Sequence, residues 1–214
     1  MIQSTALQAQ HQPAGRRAAA KALTREKLLQ SAKRLFMTHG YDGATMRDIA
    51  TDAGLSTGAV FANFADKADL FNEVILSDFR HQYERMRNSV PDDALVDERL
   101  LTLLSAAYAF HLSQLPLLQA GISVSWSQGL NGELGDRPAR SAVIGFMVEV
   151  MQEGAARGEL TADTDAALAA DIIWDCYLGN YRGAMFGGWG LEQLRDRLRA
   201  QIRMVLAGVR VALT

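Results

Sequence analysis

Residues 45–67, TMRDIATDAGLSTGAVFANFADK, constrain this chain more than any other stretch. They read as two short helices joined by a tight turn, with a third helix opening at Asp66-Lys67. Thr45 has the side chain of an N-cap. Asp48, three residues on, can reach back to the cap amide as in a capping box. Ile49, Ala53 and Val60 place apolar groups inward, and Ala50 is small where the second helix crosses the first. Gly54 stands where the chain must turn with positive φ, which costs glycine almost nothing. Leu55 plugs the junction, and Ser56 caps the helix that follows. This is the spacing of a helix-turn-helix, whose second helix enters the major groove of DNA. Taken alone, it also fits an ordinary helical hairpin in an all-α core, so the flanks have to decide.

Upstream, Thr24 to His39 is amphipathic, with Leu28, Ala32, Leu35 and Phe36 on one stripe. Gly40 then stands in the usual C-terminal capping position. Downstream, Phe64 precedes Asp66, the cap of a long helix carrying Leu70, Phe71, Val74, Ile75 and Phe79. Lys67 lies in that helix's first turn, where a cation opposes the helix dipole. A nearby phosphate explains it better than helix stability does; a solvated surface lysine is the alternative.

At these residues the chain resembles the TetR family of bacterial transcriptional regulators. The resemblance is carried by REKLLQSAKRLFMTHGYDGATMRDIATDAGLSTGAVFANFADKADLF, residues 25–71. Phe36, Gly40, Tyr41, Thr45, Ile49, Ala50, Ala53, Gly54, Leu55, Ser56, Phe64, Lys67 and Leu70 match the family pattern in one frame. They cover only the N-terminal quarter of the chain. The resemblance implies that Arg47 and the Thr57–Asn63 face (Thr57, Gly58, Ala59, Phe61 and Asn63) read bases. It implies that Thr45, Ser56 and Lys67 fix phosphates. Two positions depart from the pattern, which usually has a Tyr and, two residues later, a His where this chain has Phe61 and Asn63. The phosphate bond of a Tyr hydroxyl is lost at Phe61, which can pack on sugar or a thymine methyl. Asn63 can reach a phosphate or pair with an adenine edge.

The remaining sequence agrees. The 214 residues are 49% apolar, with four prolines and no long alternating runs of β-branched residues, so the fold class is all-α. Net charge is −2, but it divides unevenly. Residues 1–67 hold nine Lys and Arg against five Asp and Glu, or +4; residues 68–214 hold thirteen against nineteen, or −6. A basic end on an acidic body suits phosphate binding at one end only. We divide the chain into a mobile basic arm (1–20), the DNA-binding domain (21–67) and a ligand-binding and dimerisation domain (68–214). In the arm, Arg16, Arg17 and Lys21 could follow the DNA backbone or minor groove; a non-specific tail is the equal alternative. Residues 1–20 lack the apolar run of a signal peptide, and no segment approaches the ~18 apolar residues of a membrane span. Cys176 is alone, so no intramolecular disulfide framework is expected. These readings point to the cytoplasm, without a membrane partner.

Beyond residue 67 the periodicity predicts helices over 67–88, 95–113, 117–126, 138–157, 163–186 and 190–211. The segment 127–137 is long enough to form a pocket lip. Leu191, Leu194, Leu198, Ile202, Val205 and Val209 make one apolar seam on the last helix. Cys176, Gly179 and Gly183 belong to a stripe of small residues on the helix before it, where close approach of another helix would offset the cost of glycine. The family resemblance places the dimer interface on these two helices; packing on the chain's own core is the other reading. Candidate ligand contacts are Tyr108, His111, Trp126, Phe146, Met147, Trp174, Asp175, Tyr177 and Tyr181, suited to a small lipophilic or aromatic effector. Aromatic and Met side chains also serve as plain core, and two readings stand for Asp175: it faces the cavity, or it pairs with Arg182 at the surface. The four histidines are scattered, and no metal pattern, nucleophile elbow or phosphate loop is present. No catalytic residue, metal or cofactor is therefore assigned. The function expected is that of a homodimeric ligand-responsive repressor binding operator DNA, with an activator or a helical interaction protein as alternatives.

Overall fold

The computed structural model describes residues 12–127 and 138–209. Among them run α1 (Gln12–Gly43), α2 (Met46–Asp52), α3 (Thr57–Phe61), α4 (Lys67–Asn88), α5 (Val96–Leu112), α6 (Leu115–Ser127), α7 (Pro138–Ala156), α8 (Ala166–Gly187) and α9 (Leu191–Ala207). The described residues contain no strand. The chain divides into two compact units between Ile75 and Leu76, inside the continuous helix α4.

The first unit is built on α1. Its stripe of Leu28, Ala32 and Phe36 is fully buried, together with Ile49 of α2, Val60 of α3 and Leu70 and Phe71 of α4. Phe36 meets Phe71 edge-on at 5.3 Å, and Tyr41 meets the same ring at 5.0 Å. Gly40, with φ 72°, breaks the helical path inside α1 and lets Tyr41 turn back onto this cluster. α1 begins at Gln12, so residues 12–20 continue the first helix where a mobile arm was expected. Residues 1–11 lie outside the described residues.

The second unit packs α5, α7, α8 and α9 around one apolar core. Leu100, Leu103 and Leu104 of α5 face Met147 and Met151 of α7 and Ile173 of α8, all fully buried. α9 contributes Leu194, Leu198, Ile202 and Leu206, each at 0% exposure, a strict four-residue repeat down one side. Gly154 lets α7 approach the start of α5: a Cβ there would stand 2.1 Å from Val96 Cγ2. The Val96 amide donates to Glu159 Oε2 at 2.8 Å, and the buried Arg99 reaches Glu153 at 2.6 Å across the same junction. α6 opens with Pro116 in its first turn, where a missing N–H is harmless, so it starts ahead of the expected 117. Among the described residues no single helix is long and apolar enough to cross a membrane. The bent pair Val96–Leu112 and Leu115–Ser123 passes by length and composition together, at 105°. Burial of the α5 leucines in the core accounts for the apolarity of that stretch.

Candidate nucleic-acid interface and the polar core of the second unit

The helix-turn-helix is assembled by local chemistry. Thr45 Oγ1 accepts from the Asp48 amide at 3.1 Å and donates to Asp48 Oδ2 at 2.6 Å, and that carboxylate also accepts the Thr45 amide at 3.3 Å. The box is reciprocal, as the Thr-x-x-Asp spacing demands. The Leu55 amide returns to Ala50 O at 2.9 Å while Gly54 takes φ 67°. Ser56 Oγ then accepts from the Ala59 amide at 3.2 Å and caps α3. Val60 and Phe64, at and just beyond the last turn of this short helix, are buried in the domain.

These bonds sort the residues expected to touch DNA. Arg47, Ser56, Thr57 and Gly58 are exposed and Ala59 is half-buried. Phe61 presents 54% of its surface. Ser56 uses only a lone pair in capping, so its hydroxyl proton stays available to a phosphate. Thr45 differs: its hydroxyl and its amide both donate to Asp48, and it has no proton left to offer a phosphate oxygen. The expected phosphate role of Thr45 is corrected to that of a cap.

Asn63 is also corrected. Its Nδ2 donates to Ala59 O at 2.8 Å, its Oδ1 is buried without a partner, and its backbone carbonyl accepts from Arg25 Nη1 at 2.9 Å. The side chain closes the end of α3 and does not project toward a base.

Lys67 serves inside the fold. Nζ donates to Tyr41 O at 2.9 Å and Ala44 O at 3.3 Å, and it sits 4.4 Å from the centre of the Tyr41 ring. Both acceptors are backbone carbonyls with partial negative charge. They offset the unfavourable placement of a cation at the start of α4. Its expected role as a phosphate ligand gives way to that of a tether between α4 and α1.

The second unit holds a polar cluster inside apolar surroundings. His111 Nδ1 lies 2.7 Å from Tyr181 OH and 3.0 Å from Tyr177 OH, and the two phenols are 2.6 Å apart. Tyr108 OH donates to Tyr177 O at 3.0 Å and accepts from Asn180 Nδ2 at 3.1 Å. Asn180 and Gln201 of α9 continue the chain of bonds at 2.7 Å. Burial pushes the imidazole of His111 down to about 4 and holds all three phenols well above their ordinary range. Every member is therefore uncharged near neutrality.

Of the candidate ligand contacts, Tyr108, His111, Tyr177 and Tyr181 meet in this cluster, and Trp174 lies 5.2 Å from the Tyr177 ring. Met147 and Phe146 are buried on α7. The Trp126 side chain and the lip at 128–137 lie outside the described residues. Asp175 is exposed on the far side of α8, as is Arg182, so it is removed from the ligand contacts. Asp171 pairs with Arg140 at 2.8 Å. A groove of about 490 Å³ between α7 and the start of α8 is lined by Met151, Gln152, Thr164 and Asp165 among others, and none of the candidate contacts borders it.

The seam on α9 faces inward. Leu194, Leu198 and Ile202 are at 0% exposure within their own chain, and Val205 packs on the same core. A partner cannot touch the first three, so they support a surface and do not form one. Gly183 is covered by the chain itself: a Cβ there would stand 2.3 Å from the Trp189 ring. Gly179 is exposed with open space beside it, and Cys176 is half-buried. Leu168, Ile172, Phe186 and Met204 are the large exposed apolar side chains of α8 and α9, Phe186 at 77% and Met204 at 79%.

A capped helix-turn-helix on a three-helix base, joined by one long helix to a second all-helical unit, defines a helix-turn-helix DNA-binding protein of the two-unit kind. Residues 28–74 match the family described as bacterial regulatory proteins, tetR family. The HTH-type transcriptional repressor AcnR of Corynebacterium diphtheriae is 38% identical over 76 residues, 36% of this chain and 38% of AcnR. That alignment spans well under half of the relative's length. The HTH-type transcriptional repressor KstR2 of Mycobacterium tuberculosis is 28% identical over 154 residues, 71% of this chain and 76% of KstR2. In fold, the crystal structure of a TetR transcription regulator from Haloarcula marismortui superposes with a TM-score of 0.70, covering 89% of this chain and 100% of that one at 22% identity.

Sequence reasoning missed Arg25. It binds Asn63 O and Glu73 and stacks over Phe64, residues 38 to 48 positions away, and no local pattern announces such a set.

Proposed function

We propose that this chain is a homodimeric, ligand-responsive transcriptional repressor acting on operator DNA in the cytoplasm, and not an enzyme. The observation that carries the reading is the capped α3, which presents Ser56, Thr57, Gly58 and Phe61 beside the exposed Arg47. A five-residue helix with a capped, polar N-terminus and buried side chains at its far end suits insertion into a major groove. The likeness to AcnR and KstR2, both named as repressors, supports repression as the outcome.

A two-fold dimer suits two half-sites about 34 Å apart on one face of the duplex. Its contact surface is the exposed side of α8 and α9, with Ile172, Cys176, Gly179, Phe186 and Met204. The effector is a small lipophilic or aromatic molecule that engages Tyr108, His111, Trp174, Tyr177 and Tyr181 from the α7 side, near Phe146 and Met147. The polar cluster supplies hydrogen bonds inside an otherwise apolar wall. Helix α4 runs unbroken from Lys67 to Asn88, and a ligand that favours one of two dimer geometries acts through it.

The test is fluorescence anisotropy with the DNA upstream of the protein's own gene, against a scrambled duplex at physiological salt. An affinity gap of about 10³-fold supports an operator reader. Equal, weak binding to both, together with no discrete sites in a genome-wide binding map, rejects it.

A further inference from the structure

We propose that Arg25 is a positioning residue that sets the angle of the recognition helix against α4. This rests on the reading of α3 as the helix that enters DNA. α3 is only five residues long, and a helix that short has no orientation of its own. Something must fix its C-terminal end, where the chain leaves the helix through Ala62 and Asn63.

Arg25 does so from α1. Nη1 donates to Asn63 O at 2.9 Å, Nη2 meets Glu73 Oε2 at 2.8 Å, and the guanidinium carbon lies 4.3 Å from the centre of the Phe64 ring. One planar group thus ties the exit of α3, the second turn of α4 and the buried aromatic between them. The two side chains of the ion pair are 35% and 31% exposed, so the pair sits in the wall of the domain. A guanidinium can hold two acceptors at a fixed angle while stacking on a ring; an ammonium is a point charge and cannot. From the other side the Asn63 side chain bonds back to Ala59 O, so the last turn of α3 is gripped twice. Every one of these residues lies in the first compact unit.

Glu73 neutralises Arg25 locally, which separates this role from that of a phosphate contact. A residue that orients α3 governs discrimination between sequences. A residue that binds phosphate governs affinity for any duplex and contributes to its salt dependence.

The experiment compares wild type, Arg25→Ala and Arg25→Lys by anisotropy on the promoter duplex and the scrambled duplex over a salt series, with amide hydrogen exchange on the free proteins. The expected result is about a tenfold loss on the promoter duplex, the size of one charge-assisted hydrogen bond. Binding to the scrambled duplex and the salt slope are unchanged. Arg25→Lys behaves like Arg25→Ala, because the fork is lost and the charge is not. In both variants the amides of 59–64 exchange about tenfold faster while those of α2 do not. Equal losses on both duplexes, with a salt slope lower by about 0.9, make Arg25 a phosphate ligand and overturn the proposal. Wild-type specificity in Arg25→Lys overturns it too. A wild-type protein that treats both duplexes alike refutes the operator reading instead; the exchange rates then decide the positioning role alone, and unchanged rates reject it.

Discussion

His111 offers the sharpest test of the second unit. Its Nδ1 lies within hydrogen-bond distance of two phenols, and burial holds its pKa near 4 against an ordinary 6.5. Protonation would bring a charge into the core. The folded state therefore favours the neutral ring. The stabilisation is fully present above pH 6.5 and is lost as pH falls toward 4. With those two values the loss between pH 7 and pH 5 works out at about 2 kcal/mol, an upper figure because part of the ring reaches solvent. The assay is urea unfolding of wild type and His111→Gln at both pH values. Glutamine keeps a polar side chain but has no proton to gain, and the titration of surface carboxylates cancels between the two proteins. The stability of wild type relative to the variant is expected to drop by about 2 kcal/mol on acidification. The His111 ring resonance should titrate with a midpoint near 4. A midpoint near 6.5, or parallel stability losses in both proteins, refutes the reading of a neutral, buried ring.

Three further substitutions probe α8 and α9. Leu198→Ala should lower the stability of the chain itself by about 2–5 kcal/mol in urea, because the side chain fills the monomer's own core. Met204→Ala, at 79% exposure, should change unfolding little while weakening self-association measured by sedimentation. The reverse pattern would put the α9 seam at a subunit contact. Gly183→Ala should drive a methyl into the Trp189 ring at a cost of about 1–3 kcal/mol, less about 1 kcal/mol regained in helix propensity. Its readout is a red shift in tryptophan emission that Trp189→Phe abolishes; unchanged emission would mean that the ring does not cover Gly183.

What the sequence disclosed was local. The Thr45 box, Gly54 and the Ser56 cap each involve residues within five positions, and the structure forms all of them. Lys67 was misread because its partners, the carbonyls of Tyr41 and Ala44, lie 26 and 23 residues away and belong to the backbone, which has no residue signature. Thr45 was assigned both a cap and a phosphate, although one hydroxyl proton cannot serve two acceptors at once. Periodicity showed that α9 buries one face but not what covers it; the same four-residue repeat serves a chain's own core or a partner. The start of α1 is written in propensity and not in charge. Pro13 is harmless in a first turn, and Ala18, Ala19 and Ala20 are the best helix formers there are.

The basic surplus of the first 67 residues also reads differently once the bonds are known. Arg25 is held by Glu73, Arg34 by Asp52 at 2.6 Å, and Lys67 by two carbonyls. These charges still add to the field that draws a polyanion in, since that field sums over the domain and extends about 10 Å at physiological salt. They do not add close contacts, because each would have to leave its partner to reach a phosphate. Among the described basic side chains of this segment, Lys21, Lys27, Arg34 and Arg47 are exposed, Arg34 in its pair with Asp52. Net charge thus sets how DNA is attracted, while the internal ion pairs set how few phosphates the domain can grip. If α3 is the helix that enters DNA, as proposed above, discrimination between sequences falls on the short exposed row of Arg47, Ser56, Thr57 and Phe61, and a row that small works only if the helix bearing it is rigidly aimed.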